Sequence, residues 1–80
     1  IKFILQKNME KSVVLGIDIG GTNTIYGFIT RKGTIVFHDE IPTNGSKPIF
    51  DLIGRISDNV KQFLSKNRQY SLDGIGIGAP

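Results

Sequence analysis

A nearly continuous apolar run predicts the first strand of the chain. Residues 13–19 read VVLGIDI, and Asp18 is the single charged residue among them. Such a run is typical of a strand that is covered on both faces, where an unpaired carboxylate is costly to bury. Because Asp18 stands near the end of the run, we expect its side chain to reach a cleft at the edge of the sheet.

Two further strands are predicted on either side of a short polar loop. The second spans residues 24–30 and contains Gly27, and the third spans residues 34–40 or 34–41. The loop between them, Arg-Lys-Gly at residues 31–33, is typical of a hairpin in which the glycine takes a left-handed conformation. A glycine inside a strand, such as Gly27, often marks a bulge or the close approach of another backbone. The three strands are therefore predicted to form an antiparallel meander.

Beyond a loop at residues 41–45, the apolar period changes to three and four residues, which predicts an amphipathic helix. Ser46 is the expected N-terminal cap, and Pro48 fits the first turn, where its missing N–H costs nothing. Asn67 is the expected left-handed residue at the C-terminal end. The apolar stripe of this helix, which we expect to belong to the core, consists of Ile49, Leu52, Ile53, Ile56, Val60, Phe63 and Leu64.

The last predicted element is a short fourth strand. Residues 74–78 read GIGIG, which alternates with a period of two after a loop at residues 68–73. A helix between the third and fourth strands is a crossover, so the fourth strand can lie parallel to the first. The predicted fold class is α/β, with a mixed sheet of about four strands in the order 3-2-1-4 and one crossover helix.

Composition and charge argue against several classes of protein. The 80 residues carry ten basic and seven acidic side chains, and the basic residues are scattered, which does not favour a nucleic-acid-binding surface. The absence of cysteine excludes disulfides and thiolate metal sites within this chain. No apolar run is long enough to span a bilayer, and no signal-peptide pattern occurs. We therefore expect a cytoplasmic protein that binds neither nucleic acid nor membrane.

The candidate chemistry lies in the turn Gly20-Gly21-Thr22-Asn23, directly after the first strand. Paired glycines allow a positive φ and the close approach of a ligand, and successive N–H groups in such a turn form an anion-binding concavity. The side chains of Thr22 and Asn23 add further donors. The same residue types also form ordinary turns, so the residues alone leave both interpretations open.

The longer run LGIDIGGTNTIYGFIT resembles the first phosphate motif of the superfamily of sugar kinases, actin and heat-shock-chaperone ATPases. It is most similar to the ROK family (repressor, open reading frame, kinase), and within that family to the glucokinase-like members. The matching positions are Asp18, Gly20, Gly21, Thr22 and Gly27, and Asn23 is a common choice at the next position. Neither a GxxxxGK[ST] P-loop nor a GxGxxG dinucleotide motif is present.

The final segment GIGIGAP also resembles ROK members, in which a Gly-Ala-Pro loop lies near the sugar. The residues alone equally fit a second explanation, in which small side chains let a neighbouring element pack closely. The resemblance favours the sugar loop and assigns it to Gly78, Ala79 and Pro80.

The resemblance covers residues 11–80. It implies that residues 13–80 are the first part of an N-terminal ribonuclease-H-like lobe (the actin-like ATPase fold), an incomplete domain. Residues 1–12 are expected to be an N-terminal extension or a short extra strand. The implied parent is an ATP-dependent hexose kinase, with glucose as the leading substrate, that forms homo-oligomers.

The resemblance also implies residue roles. Gly20, Gly21, Thr22 and Asn23 bind the β- and γ-phosphates of ATP, and Asp18 binds Mg²⁺ through water, since Mg²⁺ keeps several waters. The catalytic base and a zinc-binding His/Cys motif are both expected downstream of residue 80. This chain alone is therefore expected to have no catalytic residue, no zinc site and no kinase activity.

Two other functions stay open at this stage. A sugar-responsive ROK repressor would carry a helix-turn-helix ahead of the phosphate motif, and only twelve residues precede Val13. An actin-like or chaperone-like ATPase would share the phosphate hairpin but lack the GIGIGAP segment. His38, the single histidine, lies far from the turn in sequence, so we expect a surface or half-buried position without a catalytic role.

Overall fold

The structure, a computed structural model, describes residues 11–79. The expected extension or extra strand lies outside these residues except for its last two positions, and Ser12 already belongs to the first strand. The elements in chain order are β1 (Ser12–Ile19), β2 (Asn23–Thr30), β3 (Ile35–Pro42), α1 (Ile49–Lys66) and β4 (Ser71–Gly78).

The sheet has the predicted topology. Its strand order is β3-β2-β1-β4. β1 pairs antiparallel with β2, β2 pairs antiparallel with β3, and β4 lies parallel to β1. The crossover through α1 accounts for the parallel pair, because parallel neighbours cannot be joined by a tight turn. The prediction of a meander followed by one crossover helix is therefore confirmed.

The core lies between one face of the sheet and α1. Alternate residues of β1 and β2 are buried on this face, as the pleat of a strand requires, and Phe28 has no exposed surface. The rings of Phe28 and Phe63 stack with centroids 4.4 Å apart. The buried apolar residues are Val13, Leu15, Ile17, Tyr26, Phe28, Leu52, Ile56 and Val60.

The apolar stripe of α1 is only partly buried. Ile49 is 54% exposed and Ile53 is 41% exposed, so the prediction that the whole stripe belongs to the core is wrong at these two positions. Ile53 lines an open apolar groove between α1 and β4, together with Ile75 and Ile77. Ile56 and Val60 lie at the base of this groove and are buried against the sheet.

The predicted N-cap is wrong, and the C-cap is the predicted residue in a different conformation. Pro48 occupies the N-cap position and no side chain bonds to the first turn, so Ser46 lies outside the helix. Asn67 has a φ of −127° instead of a left-handed conformation. It ends the helix differently, since its backbone N–H and its side-chain amide both donate to the Phe63 carbonyl oxygen at 2.9 Å.

The loop before β4 is shorter than predicted. β4 begins at Ser71, within the segment expected to be a loop, and its register against β1 shifts between Val13 and Val14. Leu72 pairs with Val13 and Gly74 pairs with Val14, so Asp73 is the additional residue of a bulge. The β2–β3 hairpin agrees with its prediction, because Gly33 has a φ of +85°.

A row of glycines crosses the face of the sheet that α1 leaves open. Gly16 pairs with Gly27 on one side and with Gly76 on the other. A Cβ atom added at Gly27 would lie 2.9 Å from the Phe37 carbonyl oxygen and 3.1 Å from the Cβ of His38. The close backbone approach predicted at Gly27 is therefore present, between β2 and β3.

Substitution of Gly27 by alanine should weaken the β2–β3 pairing. We expect a loss of about 1–2 kcal/mol of unfolding free energy, because a methyl group forced into a packed position displaces its neighbours. Gly76→Ala is the matched control, since nothing lies within 4 Å of a Cβ atom there. Urea unfolding of both variants tests the difference, and equal stabilities would contradict this account of Gly27.

Candidate phosphate-binding site

The turn between β1 and β2 is closed by one backbone hydrogen bond. The Gly20 N–H donates to the Asn23 carbonyl oxygen at 3.0 Å. Neither Gly20 nor Gly21 uses the positive φ that glycine allows, because Gly33 is the one glycine with positive φ among residues 11–79. Gly20 is needed for space instead, since a Cβ atom there would lie 2.5 Å from the Asn23 carbonyl oxygen.

The carbonyl and amide groups of this turn have different partners. The carbonyl oxygens of Gly20 and Thr22 accept hydrogen bonds from Thr43, each at 2.8 Å. Within the described part of the chain, the N–H groups of Gly21 and Thr22 donate to no acceptor. A Cβ atom at Gly21 would meet nothing within 4 Å, so the space beside this residue is open. The turn therefore offers unused donors to an approaching anion.

Asp18 lies one residue before the end of β1, on the open face of the sheet. Its side chain is exposed, and it forms no hydrogen bond or ion pair with residues 11–79. In the sheet register it pairs with Ile25 of β2 and with Gly78 of β4. The carboxylate is therefore available to a ligand at the same end of the sheet as the glycine turn.

Asp18 borders a shallow depression of about 330 Å³ on the open face. The glycine row forms part of its lining, and His38 lies on it as well. The sequence placed His38 far from the turn, but the β2–β3 register pairs it with Gly27 and brings it to this surface. No role for His38 follows from this position, and its prediction as a residue without catalytic function remains a prediction.

The donor set around Asp18 restricts the kind of metal that would fit. Among the described residues, no group of three or more His, Cys, Asp or Glu side chains is arranged to hold a metal ion. A single carboxylate fits Mg²⁺, which retains most of its waters and is commonly bound by one or two carboxylates together with phosphate oxygens. It does not fit a structural zinc site, which needs four protein ligands.

The segment predicted as the sugar loop begins beside Asp18. Gly78, the last residue of β4, pairs with Asp18, and a Cβ atom at Gly78 would lie 4.0 Å from the Ile17 carbonyl oxygen. Ala79 follows and is exposed, while Pro80 lies outside the described residues. The structure thus brings Asp18, the glycine turn and the start of this segment to one edge of the sheet, at the carboxyl ends of two parallel strands.

Tyr26 belongs to the buried core between the sheet and α1, on the opposite face of the sheet from Asp18. Its ring is buried, and its hydroxyl donates to Asp39 at 3.4 Å. Burial raises the pKa of Tyr26, the charge of Asp39 raises it further, and a hydrogen bond with Asn59 acts in the opposite direction. Because the ordinary pKa of tyrosine is already about 10, the side chain stays neutral at neutral pH.

Sequence reasoning missed Thr43, which follows β3 and contacts the turn directly. The available signal was the predicted meander, since an antiparallel third strand returns the chain to the start of the second. Thr43 lies 23 residues from Gly20 in sequence, and no local pattern marks it as a site residue. Among residues 11–79, no helix combines the length and the apolar character that crossing a membrane requires.

The fold corresponds to part of an actin-like ATPase domain, as predicted. No family model matches the sequence. A glucokinase from Halalkalibacterium halodurans is 38% identical over 68 residues, which cover 82% of this chain and 21% of the glucokinase.

A solved structure supports the same assignment. A Listeria monocytogenes protein described as a proposed N-acetylmannosamine kinase matches with a TM-score of 0.56 and 28% sequence identity, over 85% of this chain and 21% of that one. The chain thus spans about a fifth of the length of these relatives. The predicted resemblance to ROK-family sugar kinases is confirmed.

Proposed function

We propose that this chain is the nucleotide-phosphate-binding part of an ATP-dependent hexose kinase, which transfers the γ-phosphate of ATP to a sugar hydroxyl. One observation carries the proposal: a glycine turn with unused amide donors lies directly after an exposed carboxylate that has no partner among the described residues. Phosphoryl transfer depends mainly on positioning and on stabilising negative charge, and these groups serve both purposes.

The turn residues would hold the β- and γ-phosphates of ATP. Backbone N–H groups at Gly21 and Thr22 supply the donors, and the side chains of Thr22 and Asn23 are exposed and can add to them. Gly20 lets the turn close without a steric conflict, and the open space at Gly21 admits a phosphate oxygen. Such preorganised amide dipoles stabilise an anion without needing to reorient during the reaction.

Asp18 would hold Mg²⁺ through a water molecule. When bound, the ion would neutralise charge on the phosphates. The carboxylate itself does two things in this proposal: it accepts hydrogen bonds from the metal's water shell, and it fixes that shell beside the glycine turn. Its position argues against a role as the base that removes the sugar proton, which we place, together with any zinc site, outside this chain.

Gly78, Ala79 and Pro80 would lie near the sugar. The pairing of Gly78 with Asp18 supports this assignment, because it starts the segment beside the proposed metal ligand. Glucose is the leading substrate, since the relative from H. halodurans is a glucokinase. N-acetylmannosamine is the second candidate, because the structural neighbour is described as a kinase of that sugar. We further propose a cytoplasmic, homo-oligomeric parent.

A sugar-dependent ADP-release assay on the full-length protein tests the proposal. We expect ADP release in the presence of Mg²⁺, ATP and glucose. The rate should be higher with glucose than with mannose or N-acetylmannosamine at the same concentration. Turnover without any sugar would indicate a mechanical ATPase instead, and operator binding without turnover would indicate a repressor. The isolated 80-residue chain is the negative control, because the proposed catalytic base lies outside it.

A further inference from the structure

Thr43 contacts the phosphate hairpin at three points. Its hydroxyl donates to the Gly20 carbonyl oxygen at 2.8 Å, and its backbone N–H donates to the Thr22 carbonyl oxygen at 2.8 Å. Its hydroxyl oxygen also lies 2.8 Å from that of Thr24. Thr43, which directly follows the third strand, therefore contacts both sides of the turn and the beginning of the second strand.

The direction of these hydroxyl bonds follows from counting protons. Each threonine hydroxyl has one proton to donate. Because the proton of Thr43 is directed to the Gly20 carbonyl, the bond between the two threonines must be donated by Thr24. The Thr24 side chain has no exposed surface, so this bond also satisfies a buried donor. The result is a directed hydroxyl chain from Thr24 through Thr43 to the turn.

Arg55 of α1 holds Thr43 in place. Its guanidinium donates to the Pro42 carbonyl at 2.6 Å and to the Thr43 carbonyl at 3.1 Å. Its Nε donates to the Asp51 carboxylate at 3.0 Å, one helical turn away. A planar guanidinium with several fixed donors suits such a multiple contact better than a flexible ammonium does. The backbone around Thr43 is therefore attached to the first turns of the helix.

These bonds orient the amide donors of the turn. The peptide unit between two residues is planar and trans, so the carbonyl of Gly20 and the N–H of Gly21 point in opposite directions. A hydrogen bond that fixes the Gly20 carbonyl toward Thr43 consequently fixes the Gly21 N–H away from it. That N–H is one of the two that find no acceptor in the described part of the chain.

We infer that Thr43 is a positioning residue for the nucleotide site, held by Arg55, and that it aims the Gly21 amide at the phosphates of ATP. This inference rests on the proposed function, because the ligand it orients for is the nucleotide. It adds a residue from outside the glycine motif, and it makes the geometry of the motif depend on α1.

Kinetics of the full-length protein test the inference through Thr43→Val, which keeps the shape of the side chain and removes the hydroxyl. We expect kcat/KM for ATP to fall about tenfold or more, because small displacements of positioning groups have effects of this order. The KM for the sugar should stay near the wild-type value. Thr43→Ser restores the hydroxyl and should recover most of the loss, and Arg55→Lys should fall between the two.

Thr34→Val is the matched control, because Thr34 is exposed and lies in the hairpin loop at the opposite end of the sheet. It should leave ATP kinetics unchanged. The inference is overturned if Thr43→Val retains wild-type ATP kinetics, or if the KM for the sugar rises as much as the KM for ATP. A wild-type protein without sugar-dependent ADP release would instead refute the proposed function.

Amide hydrogen exchange supplies a readout that does not depend on activity. In Thr43→Val and in Arg55→Lys, exchange of the Gly20 amide, whose hydrogen bond closes the turn, should become faster, while exchange in the middle of α1 stays unchanged. Unchanged exchange of the Gly20 amide in both folded variants would overturn the positioning role, whether or not the wild-type protein is a kinase. If Thr43→Val does not fold, hydrogen exchange in Arg55→Lys still tests the positioning role.

Discussion

Asp18→Asn in the full-length protein is expected to lower kcat/KM for MgATP about a hundredfold or more, with little change in stability. Removal of one preorganised electrostatic group from an active site typically costs a factor of about 10² to 10³. The unfolding free energy should be preserved, because the carboxylate is exposed and forms no hydrogen bond or ion pair among the described residues. Steady-state kinetics and urea unfolding on the same preparation measure the two effects.

The metal dependence of this variant identifies the role of Asp18. If the carboxylate orders the water shell of Mg²⁺, the variant should need more Mg²⁺ and regain part of its activity at high concentration. A general base would show no such recovery. Glu40→Gln is the matched control, because Glu40 is an exposed carboxylate that pairs with Ile25 in the same row of the sheet. Wild-type activity in Asp18→Asn would refute the metal assignment.

Gly20→Ala is expected to destabilise the protein by about 3 kcal/mol, at the upper end of the usual cost of overpacking, and to abolish detectable nucleotide binding. The added Cβ atom would lie 2.5 Å from the Asn23 carbonyl oxygen, which is the acceptor of the hydrogen bond that closes the turn. A backbone atom cannot rotate away as a flexible side chain could. Thermal unfolding and nucleotide titration measure the two losses.

The neighbouring glycine separates the structural effect from the binding effect. Gly21→Ala adds a methyl group in open space, so it should leave the unfolding free energy nearly unchanged. If ATP phosphates approach the Gly21 amide, that methyl group should still weaken ATP binding. Normal ATP affinity in a stable Gly21→Ala variant would place the phosphates elsewhere. Equal losses of unfolding free energy in Gly20→Ala and Gly21→Ala would contradict the geometry of the turn.

Strand order and core were predictable because they depend on repeated patterns. The apolar run at residues 13–19 and the change of period after residue 45 each involve many residues, so single exceptions do not alter the outcome. Helix ends depend on one or two residues and were predicted less well. Ser46 has a favourable side chain for a cap, but the helix begins two residues later than that cap requires. The exposure of Ile53 reflects an open groove that no local pattern reveals.

The residues of the candidate site also fall into two groups, those that a local sequence pattern reveals and those that it does not. Asp18 and the glycine turn are contiguous in sequence, so their type and spacing could be recognised directly. Thr43 and Arg55 enter the site only because β3 returns to the turn and α1 packs behind it. Such contacts between residues 12 to 23 positions apart depend on docking of whole elements. The glycines were recognised for conformational freedom, whereas the structure uses Gly20 for space.

The dependence of the turn on Arg55 has a consequence for biosynthesis. A ribosome delivers Gly20 and Gly21 more than thirty residues before the arginine that fixes their surroundings. A nascent chain that ends at residue 50 therefore contains the complete motif but lacks the arginine that holds the backbone around Thr43. If the turn binds ATP as proposed, the nucleotide can stabilise the folded state only after the helix has formed and docked.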